Sequence, residues 1–140
     1  LGASVALAAP PTLLPPSMTN WPVDVIMDLD VALKEADVLY LLRMQLERQE
    51  ESLVPSLREY TNFYGLTTER SRKLQKSSII MHPGPMNRGV EISGDVPELP
   101  NTVITNQVEN GVVVRMAVLY VRVRTGMAPI GLTHEDGTDD

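Results

Sequence analysis

The sequence contains no cysteine. It can therefore form neither disulfide bonds nor thiolate zinc sites, although this absence leaves the redox compartment undetermined. Basic residues are in the minority, with 12 lysines and arginines against 18 aspartates and glutamates and a net charge of -6. A chain of this charge does not favour phosphate backbones or anionic lipid. Neither nucleic acid nor a membrane is therefore predicted as a partner.

Long apolar runs are also missing. Residues 1–9 are apolar but too short to span a bilayer, and they lack a basic leader, so the default expectation is a cytoplasmic enzyme without a signal peptide. The hydrophobic fraction of 43% over 140 residues suffices for one domain with a core. Residues 125–140 have few apolar side chains, and we predict a disordered acidic tail there, after a domain at 1–124.

A short apolar run at residues 79–81 leads directly into the loop His82-Pro83-Gly84-Pro85. The run predicts a buried strand, and the two prolines and the glycine end it. Prolines donate no backbone hydrogen bond while their carbonyls remain acceptors, and a glycine lets a ligand approach the main chain. Taken alone, the loop is explained equally well as an ordinary rigid turn after a core strand.

A second apolar run, at residues 37–42, ends at Arg43. Strand-like and helix-like segments alternate along the chain, which predicts a parallel sheet with right-handed crossovers. Ligands of such sheets bind beyond the carboxyl ends of the strands, so we expect Arg43 and Gly84 to converge there. Strands are predicted near residues 3–9, 23–27, 37–42 and 78–81.

The last predicted element is a helix at about residues 105–124. Its many valines favour a strand, but its apolar residues recur at spacings of four, four, three and four, which form one face of a helix. Shorter helices are predicted at 31–36 with Asp30 as N-cap, at 56–64 closed by Gly65, and at 69–76 capped by Thr67 or Thr68.

Three motifs occur in one order along the chain. They are R-x-Q-x-E-R at 43–48, HPGP at 82–85 running into NRGVEI at 87–92, and NQVENG at 106–111 with VRMA at 114–117. Together they resemble the C-terminal, aspartate-binding half of the aspartate carbamoyltransferases over most of residues 3–124. Three ordered motifs are much more specific than any one of them. The sister family that acts on ornithine has a cysteine in the corresponding loop, which this chain lacks.

The resemblance implies an α/β fold, a doubly wound parallel sheet flanked by helices, as in the second domain of the carbamoyltransferase fold. It implies an N-terminally truncated domain that lacks its first strand and helix, with a closing helix that returns to the first domain. The implied partners are that carbamoyl-phosphate domain and the neighbouring catalytic subunits of a homotrimer. No cofactor and no metal are implied.

The implied reaction transfers the carbamoyl group of carbamoyl phosphate to L-aspartate, giving N-carbamoyl-L-aspartate and phosphate in pyrimidine biosynthesis. Arg43 would hold an aspartate carboxylate through two parallel hydrogen bonds, Gln45 would add an amide donor, and Glu47 would hold Arg43 in place. Residues 46–55 are expected to close over aspartate as a lid. Without the other motifs, a surface ion cluster of Arg43, Glu47 and Arg48 would be the better explanation.

The loop residues Gly84 and Pro85 would bind carbamoyl phosphate through their main-chain carbonyls, which would accept hydrogen bonds from the carbamoyl nitrogen and the attacking amine. No side chain is assigned as catalytic. His82 is expected to shape the loop rather than to transfer a proton. Arg88 is a weaker candidate for a second cation, and Glu91 is expected to pair with it.

Other motifs of the same enzymes are missing, namely the S-x-R-T-R phosphate loop, the H-P-x-Q stretch and the arginine ahead of the second domain's first helix. The chain therefore carries about half an active site, and we expect it to be inactive by itself. Two other interpretations stay open. One is a catalytically silent homologue or isolated domain that acts as a binding or scaffolding module, and the other is an unrelated doubly wound domain that binds a small anion.

Overall fold

The computed structural model describes residues 2–45 and 56–126. The predicted lid at 46–55 lies outside these residues, as does the predicted tail at 125–140 except for its first two residues, of which Thr125 is helical and so contradicts the predicted start of the tail. The described strands are β1 (Ala6–Leu7), β2 (Asp24–Val25), β3 (Val38–Tyr40) and β4 (Ile79–Met81). The described α-helices are α1 (Leu29–Glu35), α2 (Leu57–Tyr64), α3 (Thr68–Ser71) and α4 (Ile104–Thr125). Short 3₁₀ turns lie at Pro11–Leu13, Pro16–Asn20 and Val96–Glu98.

The predicted α/β class with parallel strands is confirmed. β1 pairs in parallel with β2, and β3 pairs in parallel with β4. Within the described residues these are two separate pairs rather than one continuous sheet, because no described strand is hydrogen-bonded to both of them. β1, β2 and β3 are shorter than predicted, since an apolar run extends beyond the residues that find a ladder partner, whereas β4 coincides with its apolar run at 79–81.

The hydrophobic core packs α1 against the β3–β4 pair and the segments that follow α2 and β4. Only one face of β3 is buried in it. Leu41 is buried and Leu39 packs against the core, whereas Val38, Tyr40 and Leu42 on the other face are exposed. The continuous run at 37–42 predicts burial on both faces, and the described residues pack only one. The core consists of Leu29, Leu33, Leu41, Leu66, Leu74, Ile80, Ile92, Val96 and Ile104.

The N-cap of α1 lies two residues before its predicted position at Asp30. Asp28 is the cap, and its side chain accepts a hydrogen bond from the Asp30 N–H at 2.8 Å. Asp30 instead forms ion pairs with Arg70 (3.1 Å) and Lys73 (2.8 Å), which connect α1 to the region of α3. The hydrogen bond from Lys73 and the charge of Arg70 hold the pKa of Asp30 below its usual value, although partial burial acts in the opposite direction.

α2 ends where its sequence predicts and begins one residue later, at Leu57. Ser56 caps its first turn by accepting a hydrogen bond from the Glu59 N–H at 3.1 Å, and Gly65 follows its last residue. Gly65 is needed for space rather than for conformation, because its φ is -70° and an added Cβ would lie 2.5 Å from the Thr61 carbonyl oxygen and 2.8 Å from that of Val90. No ordinary side chain can occupy this position without moving the backbone.

α4 spans residues 104–125, one residue beyond the prediction at each end. The chain divides into two compact units at residues 108 and 109, so α4 contributes to both. In the second unit the apolar side chains are exposed around the helix, which is typical of a helix that packs against other protein on more than one side. They are Val112, Val113, Val114, Met116, Val118, Leu119, Tyr120, Val121 and Val123. Among the described residues, no helix combines the length and the apolar content needed to cross a membrane.

Candidate functional site

The segments that follow β3 and β4 leave the sheet at the same edge, because these two strands are adjacent and parallel. The Leu41 N–H donates to the Met81 carbonyl at 2.9 Å, which extends the pairing to the strand ends. Beyond it, the Asn87 side chain donates through Nδ2 to the Met44 carbonyl at 2.7 Å. The segment that carries Arg43 and the loop after β4 therefore meet, as the sequence predicts.

Gly84 has a φ of +63°, which is the left-handed region that side chains disfavour. Space is not the constraint here, since an added Cβ would only reach contact distance, 3.5 Å from Cγ2 of Val108. The Gly84 N–H turns back and donates to Nδ1 of His82 at 2.9 Å, and the peptide bond from Gly84 to Pro85 is cis. The glycine thus permits a tight loop that is closed on the histidine ring.

His82 and Glu91 form a fully buried pair, with 0% and 1% of their side chains exposed. Because Nδ1 of His82 accepts a hydrogen bond, that nitrogen carries no proton, and Nε2 is the ring nitrogen that donates. Nε2 lies 3.2 Å from Oε1 of Glu91. The same Oε1 accepts the Asn87 N–H at 2.6 Å. One buried carboxylate oxygen therefore fixes both the histidine ring and the backbone five residues further along the loop.

The predicted pairing of Glu91 with Arg88 is wrong. Arg88 is about half exposed and donates to the Gly94 carbonyl (2.5 Å) and to Glu98 (3.4 Å). The reason is the turn between Arg88 and Ile92, in which the Gly89 N–H donates to the Ile92 carbonyl at 2.7 Å. This turn leaves Arg88 at the surface and Glu91 in the interior. A second-cation role for Arg88 stays a prediction.

Gln107, in the first turn of α4, forms hydrogen bonds with Tyr40 on β3 and with His82 directly after β4. Its Oε1 accepts the His82 N–H at 3.0 Å, and its Nε2 donates to the Tyr40 hydroxyl at 2.8 Å. No role is predicted for Gln107 or Asn87 from the sequence, although both lie inside the recognised motifs. Their presence in those motifs is the sequence signal that could have identified them, but only the packing reveals which polar side chains point inward.

The sequence-predicted ligands lie around this edge. Arg43 is half-buried and Gln45 is exposed, on the segment that leaves β3. Gly84 is half-buried and Pro85 is exposed, and within the described part of the chain neither carbonyl accepts a hydrogen bond. Both oxygens are therefore available to a ligand. Glu47 lies outside the described residues, and its role stays a prediction. The ligand roles of Arg43, Gln45, Gly84 and Pro85 also stay predictions.

A cavity of about 350 Å³ lies beside α2, away from these residues. The rings of Tyr60 and Tyr64 stack there with centroids 5.8 Å apart. Burial, followed by the charge of Glu91 and by Tyr64, raises the pKa of Tyr60. None of the sequence-predicted ligands lines this cavity, so it is separate from the candidate site. Its lining consists of Pro10, Pro11, Thr12, Glu59, Tyr60, Phe63 and Tyr64.

A known protein family matches nearly all of the described residues. The profile of the aspartate/ornithine carbamoyltransferase family, Asp/Orn binding domain, covers residues 4–122. The chain belongs to this family. It is 51% identical over 130 residues to the aspartate carbamoyltransferase catalytic subunit of Desulfitobacterium hafniense, covering 93% of the chain and 42% of that protein. It is 53% identical over 121 residues to the corresponding subunit of Syntrophobacter fumaroxidans, covering 86% and 40%.

Solved structures of carbamoyltransferases share the fold. Aspartate transcarbamoylase from Trypanosoma cruzi in complex with N-(phosphonacetyl)-L-aspartic acid superposes with a TM-score of 0.71 and 27% identity, over 84% of this chain and 39% of that one. Ornithine carbamoyltransferase from Pyrococcus furiosus gives 0.57 and 27%, over 69% and 31%. The chain spans about two fifths of the length of the Desulfitobacterium hafniense and Syntrophobacter fumaroxidans subunits.

Proposed function

We propose that the protein to which this chain belongs transfers the carbamoyl group of carbamoyl phosphate to L-aspartate, and that this chain supplies the aspartate-binding half of the site. The products are N-carbamoyl-L-aspartate and phosphate, at an early step of pyrimidine biosynthesis. The observation that carries the proposal is the meeting of the Arg43 segment with the loop after β4, where Asn87 donates to Met44. The names of the relatives that are about half identical to the chain support the same reaction.

Arg43 and Gln45 are the proposed aspartate ligands. A guanidinium presents two parallel N–H donors that match the two oxygens of a carboxylate, and its charge strengthens both bonds. Arg43 is half-buried, so part of its side chain remains accessible to a ligand. Gln45 is exposed beside it and adds neutral donors for the same substrate.

Gly84 and Pro85 are the proposed carbamoyl ligands. Their carbonyls would accept hydrogen bonds from the carbamoyl NH₂ group and from the attacking amine, which holds the amine nitrogen facing the carbamoyl carbon. A new C–N bond forms, the C–O bond to phosphate breaks, and the proton that the amine loses is taken up by the released phosphate. Positioning and fixed dipoles are sufficient for the part that this chain plays, so it needs no titrating side chain.

The remaining ligands would come from elsewhere in the protein. A phosphate group needs several cationic or N–H donors, and the phosphate motif of these enzymes is absent from the sequence. We propose that a carbamoyl-phosphate domain and neighbouring catalytic subunits of a homotrimer provide them, in the cytoplasm. The share of the relatives' length that the chain spans, about two fifths, is consistent with a missing domain.

The decisive experiment measures carbamoylation of L-aspartate and of L-ornithine by the full-length protein. Product from aspartate and none from ornithine is expected, because Arg43 complements a second carboxylate and repels a second ammonium group. Turnover of ornithine alone would contradict the proposal. Binding of aspartate without turnover of either amino acid would favour the catalytically silent homologue instead.

A further inference from the structure

Asn87 connects the loop after β4 to the end of β3. Its N–H donates to Oε1 of Glu91 at 2.6 Å, and its side-chain Nδ2 donates to the Met44 carbonyl at 2.7 Å. Met44 is buried and lies between Arg43 and Gln45 in the chain. The Asn87 side chain therefore restrains the segment from which both proposed aspartate ligands extend.

Glu91 restrains the other side of the same site. Its Oε1 contacts Nε2 of His82 at 3.2 Å, and Nδ1 of that ring accepts the Gly84 N–H at 2.9 Å. A buried acceptor shared by two donors fixes the positions of both, because a donor left unpaired in the interior is costly. The backbone direction at Gly84 is thus set through the histidine ring by a carboxylate seven residues away in the chain.

We propose that Asn87 and Glu91 are positioning residues that set the distance between the two halves of the site, with the carbonyls of Gly84 and Pro85 on one side and Arg43 on the other. The inference rests on the proposed function, since it takes these groups as the ligands of the two substrates. Neither Asn87 nor Glu91 is assigned as a substrate ligand. Both act through the backbone segments that they hold.

A reaction between two bound substrates depends on the spacing of their sites, and a displacement of about 1 Å can cost roughly a hundredfold in rate. The binding of either substrate alone depends only on its own ligands and is insensitive to that spacing. A molecule that joins both substrates covalently is sensitive to it. N-(phosphonacetyl)-L-aspartic acid, which the Trypanosoma cruzi enzyme binds, contains an aspartate and a phosphonate in one molecule.

The test is made on the full-length enzyme with Asn87→Ala, by calorimetry with three probes. These are N-(phosphonacetyl)-L-aspartic acid, inorganic phosphate, and succinate, which is aspartate without its amino group. The Kd of the bisubstrate compound should rise about tenfold or more, and those of phosphate and succinate should each change less than about twofold. The exposed Asn62 on α2 provides the matched control, since Asn62→Ala should leave all three values unchanged.

Substitutions on the Glu91 side give an independent measurement. Glu91→Gln keeps an oxygen acceptor, so it should weaken bisubstrate binding less than Glu91→Leu does. His82→Asn keeps an acceptor for the Gly84 N–H, as asparagine does in ordinary turns, and should retain more bisubstrate affinity than His82→Phe. Should the leucine variant fail to fold, the glutamine and asparagine variants still rank the contacts.

Two results would overturn the positioning role. One is an Asn87→Ala enzyme that binds the bisubstrate compound as tightly as the wild type. The other is a common loss for all three probes, which a merely structural defect would produce. A failure of the proposed function looks different, because the wild-type enzyme would then neither turn over aspartate nor bind the bisubstrate compound.

Discussion

Two regions of this molecule reverse the usual relation between polarity and burial. The loop after β4 depends on His82 and Glu91, whose polar side chains are 0% and 1% exposed. The part of α4 in the second unit presents valines such as Val113 and Val123, which are 65% and 82% exposed. Buried polar groups require hydrogen-bond partners, so directional bonds specify the loop. A large exposed apolar surface instead marks a face that packs against other protein.

The two regions are stabilised by different interactions, the loop by hydrogen bonds and the helix by apolar contacts. In the loop, Asn87, Gln107 and Gly84 supply hydrogen-bond partners to Glu91 and His82, whereas Oε2 of Glu91 is buried without a partner among the described residues. The helix gains little from its valines within the described residues, and its apolar side chains stabilise the protein only where another surface covers them. In the proposed enzyme that surface belongs to the first domain. Substitutions in the two regions should therefore differ in their effects on stability and activity.

Arg43→Ala in the full-length enzyme should reduce kcat/KM for aspartate about a hundredfold or more, equivalent to roughly 3 kcal/mol, because two charge-assisted bonds are lost. Arg43→Lys should recover little of this, since the charge remains but the fork is lost. Steady-state kinetics with each substrate varied in turn is the measurement. Equal losses for aspartate and carbamoyl phosphate would show that Arg43 does not serve aspartate specifically.

Glu91→Leu should lower the free energy of unfolding by about 3 kcal/mol, because it leaves the Nε2–H of His82 and the N–H of Asn87 buried without an acceptor. Urea unfolding measures the change. Glu35 is exposed on α1, and Glu35→Leu is the matched control with an expected change below about 0.5 kcal/mol. Similar small losses in both variants would mean that the buried pair does not organise the loop.

Gly65→Ala tests how closely the loop packs on the end of α2. The new Cβ would lie 2.5 Å from the Thr61 carbonyl oxygen and 2.8 Å from that of Val90, so a loss of about 2 kcal/mol is expected. Gly94 has open space around its Cβ position, and Gly94→Ala should be neutral or slightly stabilising. Thermal melts of both variants compare the two sites, and a tolerated alanine at 65 would refute the tight packing.

Val113→Ser tests the opposite region. If the helix surface is covered in the full-length protein, this substitution should cost about 1 kcal/mol, since an apolar side chain is replaced by a polar one in a buried place. If the surface stays as exposed as it is within the described residues, the change should be below about 0.5 kcal/mol. Denaturant unfolding of the full-length protein decides between them, and the small value would contradict the proposed docking against the first domain.

Asp30→Asn should have the smallest effect, about 0.5 kcal/mol at pH 7, because its ion pairs with Arg70 and Lys73 are partly exposed. The lowered pKa of Asp30 means that this contribution is present above the unfolded-state pKa near 3.8 and is lost as the pH falls through the lower folded-state value. Unfolding curves between pH 7 and pH 2 should therefore converge for the two proteins. Asp24, exposed on β2, supplies the control Asp24→Asn, and a gap that widens at low pH would reverse the assignment.

Local patterns in the sequence predict the elements well where one signal dominates. The spacing of apolar residues predicts α4 to within one residue at each end despite its valines, because a helical face repeats over many turns. Prediction of α1 fails at its cap, since Asp28 and Asp30 are both good N-cap residues. The use of Asp28 rather than Asp30 as the cap is consistent with the ion pairs that Asp30 makes with Arg70 and Lys73. These residues lie about forty positions away, so no local pattern contains them.

Motifs and apolar periodicity are local properties, so they are sufficient to predict the family, the order of strands and helices, and the edge at which the segment carrying Arg43 meets the loop after β4. The inward turn of Glu91 to His82, with Arg88 left at the surface beside Glu98, is a result of tertiary packing. The physical reason is that a buried hydrogen bond depends on distance and direction between groups that packing brings together. Spacing along the chain specifies neither.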